Sequence, residues 1–328
     1  MNIAVFTGGD SSEAVISMKS AGEVKQWLTN LGHTCYLVMV TGPDWTVRYE
    51  GGTAPLDKNI FGFSENGKDF ISFDFAWNMI HGTPGEDGKL QGYFDVMNIP
   101  YSSSGHFSSA LTFNKYACKS FLKQHGILTA ESSLVRKHLE TDLEAVGALV
   151  GFPCFVKPNS GGSSFGIAKV SRQAQLQEAL DEALREDKEA LVERYVKGTE
   201  VTCGLIRKEG KFIVFPITEI VTENEFFDYE AKYTAGKASE ITPAGIEAVL
   251  TKQVQELAIR IYELTDSSGL IRVDFIIKGN QVYFLELNSI PGMSKESIIP
   301  QQIRIAGYTL EEVLHWVIED ALSGMQRK

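Results

Sequence analysis

Apolar residues fall along this chain in short runs and in helical stripes, and its first third alternates between the two. Ile3–Phe6 reads as a short buried strand. Gly8-Gly9 breaks it, and Ser11 or Ser12 is placed to cap a helix running to about Asn30. Gly32 then ends that helix at a position suited to a left-handed residue. Cys35–Val40 is a second buried strand. From Asn59 to Phe75, two Phe-rich segments flank Glu65-Asn66-Gly67-Lys68, and Asn-Gly between apolar runs is a hairpin signal. A β-hairpin inserted into an open α/β unit is therefore expected. Phe75–Ile80 is a further strand that delivers His81-Gly82 at its C-terminal end, where open α/β sheets bind ligands.

A second unit starts near Phe113. A helix spans about Asn114–Gln124 and stops at Gly126. Strands follow at Cys154–Lys157 and Ile167–Val170, joined by a Gly/Ser loop. A helix over about Gln173–Arg185 places Leu176, Ala179, Leu180, Ala183 and Leu184 on one face, and the strand Ala190–Val196 closes the unit. The last third mixes strands (Glu200–Ile206, Lys211–Ile220) with a long loop and a helix from about Ile246 to Leu264. A hairpin over Ile271–Asn288 comes next. The final helix opens with Thr309-x-x-Glu312, a capping box, and carries the stripe Leu310, Val313, Leu314, Val317.

Composition narrows the class. A chain of 328 residues is too long for one small domain. Three units, 1–112, 113–195 and 196–328, account for it better than two. With 31 basic and 42 acidic residues the formal charge is −11, which argues against a nucleic-acid partner but not against a small anionic ligand. Cys35, Cys118, Cys154 and Cys203 form no C-x-x-C pair and sit in apolar sequence, as expected of reduced, buried thiols. No apolar run is long enough for a membrane helix, and the N-terminus lacks a signal-peptide pattern. A cytoplasmic protein is expected.

Four stretches carry candidate chemistry. In Arg272-Val-Asp274 … Glu286-Leu-Asn288 the polar residues are two apart, so each pair shares a strand face, while Val273, Phe275, Leu285 and Leu287 point into a core. A turn leaving Gly279-Asn280-Gln281 unpaired puts Asp274 opposite Glu286 and Arg272 opposite Asn288. A two-residue turn would break that register. Two carboxylates and an amide oxygen suit Mg²⁺ shared with substrate phosphates. They equally suit an exposed sheet face with an ordinary Arg–carboxylate pair. Val156-Lys157-Pro158 leads into Asn159–Gly166, a loop able to offer N–H groups and hydroxyls to phosphate, or merely a flexible connection. His81–Gly92 holds glycines and two acids after a buried strand. Glu86 and Asp87 there are placed to cap the next helix, and His81 is a ligand group or a core histidine. Phe227–Tyr233 lies in a long loop of the kind that forms lids or packs on the surface. Glu13, at the start of the first helix, is satisfied by the helix dipole alone.

In this order, over Ile3 to about Trp316, these features resemble the D-alanine–D-alanine ligases of the ATP-grasp superfamily, most specifically in His81–Gly92 and Gly269–Ser297. The resemblance implies a mixed α/β, three-domain architecture: an N-terminal open α/β domain and two ATP-grasp subdomains holding ATP between them. It implies ATP-dependent ligation of two D-alanines through a D-alanyl phosphate, for peptidoglycan precursor synthesis. Lys115, Lys157 and Lys232 would meet the phosphates. Glu193, Arg194 and Val196 would read adenine through backbone groups, with Phe226 and Leu285 in the same nucleotide site, and Glu200 would take the ribose. Asp274, Glu286 and Asn288 would hold two Mg²⁺ (or Mn²⁺) ions, while Arg272 and the Gly292 N–H would form an oxyanion site. Glu13 would hold the first D-alanine's ammonium and Ser297 the second's carboxylate, with His81 and Ile298 beside the substrates. Ser163 and Tyr233 would link with Glu13 to order a lid. Some positions depart from the family pattern: Ala14-Val15-Ile16-Ser17 follows Glu13, and Ser160-Gly161-Gly162 lacks the usual Arg and Glu. Tyr233 favours D-alanine over D-lactate as second substrate. The alternatives are another ATP-grasp carboxylate–amine ligase, such as a D-alanine–D-lactate ligase, or a non-catalytic ATP-binding module. The family commonly forms homodimers, in which the Phe-rich hairpin could take part.

Overall fold

The computed structural model describes residues 1–11, 13–67, 69–162, 166–222 and 238–325. Ser12, Ser163, Phe226, Lys232 and Tyr233, among the positions singled out above, lie outside them. The elements run β1 (Asn2–Gly8), α1 (Ala14–Asn30), β2 (Thr34–Thr41), β3 (Asp44–Tyr49), β4 (Gly52–Pro55), β5 (Gly62–Glu65), β6 (Asp69–Ser72), β7 (Phe75–Asn78), α2 (Lys89–Val96), α3 (His106–Phe113) and α4 (Lys115–Gln124). Then come β8 (Ser132–Arg136), α5 (Leu143–Val150), β9 (Cys154–Pro158), β10 (Ala168–Val170), α6 (Leu176–Glu186) and β11 (Glu189–Arg194). The last part holds β12 (Thr199–Lys208), β13 (Lys211–Val214), β14 (Thr218–Thr222), β15 (Ala238–Ile241), α7 (Ala248–Leu264), β16 (Ile271–Lys278), β17 (Gln281–Asn288), α8 (Ile298–Ile305) and α9 (Leu310–Met325).

The expected mixed α/β class is what these elements form. The first sheet has the order β4-β3-β2-β1-β7. Its parallel centre, β2-β1-β7, is apolar on both faces, and Ile3, Ala4, Val5 and Phe6 are fully buried. The antiparallel hairpin β3–β4 extends it and has no counterpart in the hydrophobic pattern. β5 and β6 pair as the predicted hairpin, with Asn66 and Gly67 both at positive φ in the turn. The second sheet, β10-β9-β11-β8, is antiparallel throughout. The third runs β15-β14-β12-β16-β17, with β13 also pairing β12. The single strand expected over Lys211–Ile220 is two strands, because Pro216 lies between them and has no N–H to give to a ladder.

α1 buries Ser17, Ser20, Ala21, Val24, Trp27 and Leu28, spaced as one helical face. Its N-cap residue is Glu13, whose side chain makes no capping bond; Ser11 Oγ instead accepts from the Glu13 N–H at 3.3 Å. At α9 the capping box forms as expected: Thr309 N–H donates to Glu312 Oε2 at 2.8 Å, and Glu312 N–H donates to Thr309 Oγ1 at 3.2 Å.

The cores cut across the three stretches of sequence. One joins Ile3, Val5, Phe75 and Trp77 to α1 and to Ile299, Val313, Leu314 and Val317 of α8 and α9. Another joins Cys118 and Leu122 of α4 to the third sheet and α7. The second sheet packs α5 and α6 in a core of its own.

Candidate active site

The site grows from β16 and β17. Their turn has only two residues, Gly279-Asn280, and pairs Lys278 with Gln281 rather than Val282. Alone, that turn would put the carboxylates one residue out of step. A β-bulge between Asp274 and Phe275 restores the alignment. Phe275 pairs with Phe284 on one side of it, and Asp274 with Glu286 on the other, so Leu285 is the extra residue. Arg272 then faces Asn288. The bulge also corrects the core assignment. Phe284 is buried in the core beside Leu287, while Leu285 is only half-buried and stands outside that core.

Asp274 is buried and held on both oxygens. Arg272 Nε donates to Oδ1 at 2.9 Å and Nη2 to Oδ2 at 2.8 Å. Asn288 Nδ2 donates to Oδ2 at 3.0 Å, and the Thr202 hydroxyl donates to Oδ1. Burial opposes the Arg272 charge, but Asp274 and Glu286 raise its pKa above the ordinary value. Thr202 is placed in turn by Gln302 of α8, which is fully buried. Gln302 donates Nε2 to Thr202 O at 3.0 Å and accepts from Gly204 N–H at 3.0 Å.

Two predicted lysines come from the neighbouring sheet and helix. Lys157 lies across from Leu191 in the β9–β11 pair, so Glu193 is its diagonal neighbour on the same face. Lys157 Nζ donates to Glu193 Oε2 at 2.7 Å. Lys119 of α4 pairs with the other oxygen, Oε1. Nothing in the motif reading singled out Lys119. The signal available was its place beside Cys118 and Leu122 on the buried face of α4. Lys115, one helical turn earlier, donates Nζ to the Gly161 carbonyl oxygen. Asn159 joins these pieces: its carbonyl accepts from Lys115 N–H at 3.0 Å and its Oδ1 from Tyr116 N–H at 2.9 Å. The Ser160 N–H is already bonded to Asp187 Oδ2 at 2.7 Å and is not offered to a ligand.

The charges around the lysines set their protonation. Burial opposes the Lys157 charge, yet Glu193 and Glu286 raise its pKa above the ordinary value. Burial pushes Lys115 and Lys119 down, against the pull of Glu286 and Glu193. Glu193 stays below the usual carboxylate range despite burial, because both lysines face it.

The third side of the site comes from the first sheet. Glu13 is buried, and a Cβ on Gly162 would lie 2.7 Å from its Oε1, so the Gly/Ser loop runs directly against the Glu13 carboxylate. Glu86 does not cap α2 as expected. Its Oε2 turns back to accept from Gly82 N–H at 2.8 Å, and only Asp87 meets the helix start, through Lys89 N–H at 3.2 Å. Burial, with Glu13 adding to it, pushes the Glu86 carboxyl up to about 8. Burial and the nearby Arg272 charge push His81 down to about 4, so the ring is neutral. Ser297 is the N-cap of α8 and Ile298 its first, half-buried residue. The Ser297 hydroxyl lies 2.9 Å from that of Ser294, and a Cβ on Gly292 would come within 3.1 Å of it.

Arg194, expected to act through its backbone, uses its side chain elsewhere. It is exposed and donates Nε to Val150 O at 2.6 Å and Nη2 to Leu149 O at 3.0 Å, capping α5. Val196 is half-buried just past β11, and Glu200 is half-buried on β12 opposite Ile276. Among the described residues, no group of three or more His, Cys, Asp or Glu is arranged to hold a metal. The Asp274, Glu286, Asn288 set has two acids and an amide.

Two family models match the chain: D-ala D-ala ligase N-terminus over residues 2–104 and D-ala D-ala ligase C-terminus over residues 121–319. The chain belongs to the D-alanine–D-alanine ligase family. It is 49% identical over 330 residues to the D-alanine–D-alanine ligase of Parabacteroides distasonis, with 100% of this chain and 99% of that protein covered. The crystal structure of D-alanyl-alanine synthetase A from Vibrio cholerae superposes with a TM-score of 0.88 at 27% identity, covering 98% of each chain. A D-alanine–D-alanine ligase from Bacillus anthracis complexed with ATP gives a TM-score of 0.79 at 29% identity, covering 100% of this chain and 99% of that one. Members of this family have the ATP-grasp fold, and this chain is accordingly an ATP-dependent ligase that forms a carbon–nitrogen bond. Among the described residues no helix is long and apolar enough to cross a membrane.

Proposed function

We infer that this ligase joins two D-alanines into D-alanyl-D-alanine, for peptidoglycan precursor synthesis, and that the site above performs the reaction. A carboxylate is a poor acylating agent, so the first D-alanine is activated as an acyl phosphate by ATP, and the second D-alanine's amine then attacks its carbonyl. Glu13 holds the first substrate's ammonium. Lys115 and Lys157 hold the phosphates and offset charge as the phosphoryl group moves. Arg272 spends two of its five N–H groups on Asp274, so others remain to meet the tetrahedral oxyanion together with the Gly292 N–H. Ser297, at a helix N-terminus, receives the second substrate's carboxylate. Neutral His81 lines the substrates without adding charge.

The donor set fits Mg²⁺. Asp274, Glu286 and Asn288 carry carboxylate and amide oxygens at paired positions on one hairpin, and Asp274 would exchange hydrogen bonds it now accepts from Arg272, Thr202 and Asn288 for the metal. When bound, the metal ions supply charge neutralisation for the polyphosphate. Ser163, Phe226, Lys232 and Tyr233 keep the roles that the resemblance implies, and no step here rests on them. Three units divided near residues 112 and 195, and a cytoplasmic homodimer, belong to the same proposal.

One observation supports the site assignment: the Glu286 charge works to raise the pKa of Lys115, Lys157 and Arg272, which stand on three different elements. The test is phosphate release from ATP with D-alanine, L-alanine or D-lactate. Release with D-alanine, and D-alanyl-D-alanine as product, is expected. ATP binding without D-alanine-dependent release would overturn the reading.

A further inference from the structure

Lys119 has no part in the reaction described above, yet it is 2% exposed, deeper than Lys157 at 6%, and its carboxylate partner Glu193 is 3% exposed. Glu193 and Lys157 alone would form a neutral pair. With Lys119 on the second oxygen, two cations share one carboxylate, so the three side chains carry an excess positive charge that the Glu286 charge, acting on both lysines, only partly offsets. Such an excess is costly to keep out of water, and an apolar residue at 119 would avoid the cost. Lys119 is also tied to the site's hairpin. Its Nζ donates to the Phe284 carbonyl at 3.3 Å and lies 5.6 Å from the centre of the Phe284 ring, two residues before Glu286.

We propose that Lys119 is a positioning residue for the nucleotide: it neutralises Glu193 and so leaves the Lys157 ammonium available to a phosphate. Without it, Glu193 would hold Lys157 as a closed pair, and a polyanion would have to break that pair to bind. This inference rests on Lys157 meeting a nucleotide phosphate. It goes beyond that reading by assigning the cation behind it.

The test compares ADP with adenosine, which has no phosphate, by calorimetric titration of the full chain. Lys119→Met is expected to weaken ADP by about tenfold, the worth of one charge-assisted contact, while adenosine affinity and the KM for D-alanine stay put. Adding Glu193→Gln to Lys119→Met removes the carboxylate that would trap Lys157, and ADP affinity is expected to recover. A merely structural lysine predicts the opposite, a further loss in the double variant. Equal losses for ADP and adenosine, or no recovery in the double variant, would overturn the proposal. Lys157→Met separates the two readings. If it weakens ADP and Lys119→Met does not, the Lys119 role alone falls; if neither does, the phosphate site falls with it. Should Lys119→Met fail to fold, Lys119→Gln takes its place with the same expected outcomes.

Discussion

Asp274 and Glu286 face each other across a hairpin whose turn is one residue too short to align them, and the bulge at Leu285 makes up the difference. Bulges re-aim side chains next to active sites, and here the bulge sets the spacing of the carboxylates assigned to the metal ions.

Glu286→Gln keeps the shape of that side chain and removes a charge felt by Lys115, Lys119, Lys157 and Arg272. We expect kcat to fall by roughly 10²–10³-fold, the scale for losing one preorganised electrostatic group. The Mg²⁺ concentration needed for half-maximal rate is expected to rise. Steady-state phosphate release at several Mg²⁺ concentrations measures both, and an unchanged Mg²⁺ dependence would count against the metal assignment.

Gly162→Ala introduces a Cβ 2.7 and 2.9 Å from the two Glu13 carboxylate oxygens. The obstacle is the end of a flexible side chain, so the fold should tolerate it at a cost of about 1 kcal/mol or less. The carboxylate itself must move, and the KM for D-alanine is expected to rise while affinity for ADP changes little. Equal changes in both would place Glu13 elsewhere than on the first substrate's ammonium.

Glu86 ties stability to pH. Its folded pKa, about 8, lies above the unfolded value of 4.5, so the folded state keeps a proton the unfolded state has lost. Between those values stability falls as pH rises. His81, lowered to about 4 from 6.5, acts the other way, but only below pH 6.5. From pH 6.5 to 8 the Glu86 effect therefore stands clear of His81. Glu86→Gln mimics the protonated acid and is expected to flatten the decline of the unfolding midpoint over that range. Parallel profiles for the two proteins would show that Glu86 ionises normally.

Several site residues were legible because the chemistry and the local period coincide. Arg272, Asp274, Glu286 and Asn288 alternate with apolar residues, and that alternation fixes their face whatever the turn. The register itself emerged from a three-residue turn and no bulge, where the protein has a two-residue turn and one bulge; the two differences cancel at Asp274–Glu286. They do not cancel at Leu285, whose predicted place in the core goes to Phe284. A bulge has no fixed sequence signal, since it depends on the partner strand. Lys119 was missed because a lone lysine on an amphipathic helix ordinarily points to solvent, and its partners lie 74 and 165 positions away. Glu193 and Arg194 are adjacent on a strand, so only one can face the lysines, and the other caps α5.

The shared core of the first sheet with α8 and α9 bears on how the chain is made. The residues that cover one side of Ile3, Val5 and α1 are Ile299, Val313, Leu314 and Val317, which leave the ribosome long after β1 and α1. The N-terminal sheet therefore cannot finish folding as it emerges, as an independent first domain would. It holds an apolar flank open until late in synthesis. When that flank closes, Glu13 and Ser297, assigned to opposite substrates, become parts of one continuous body.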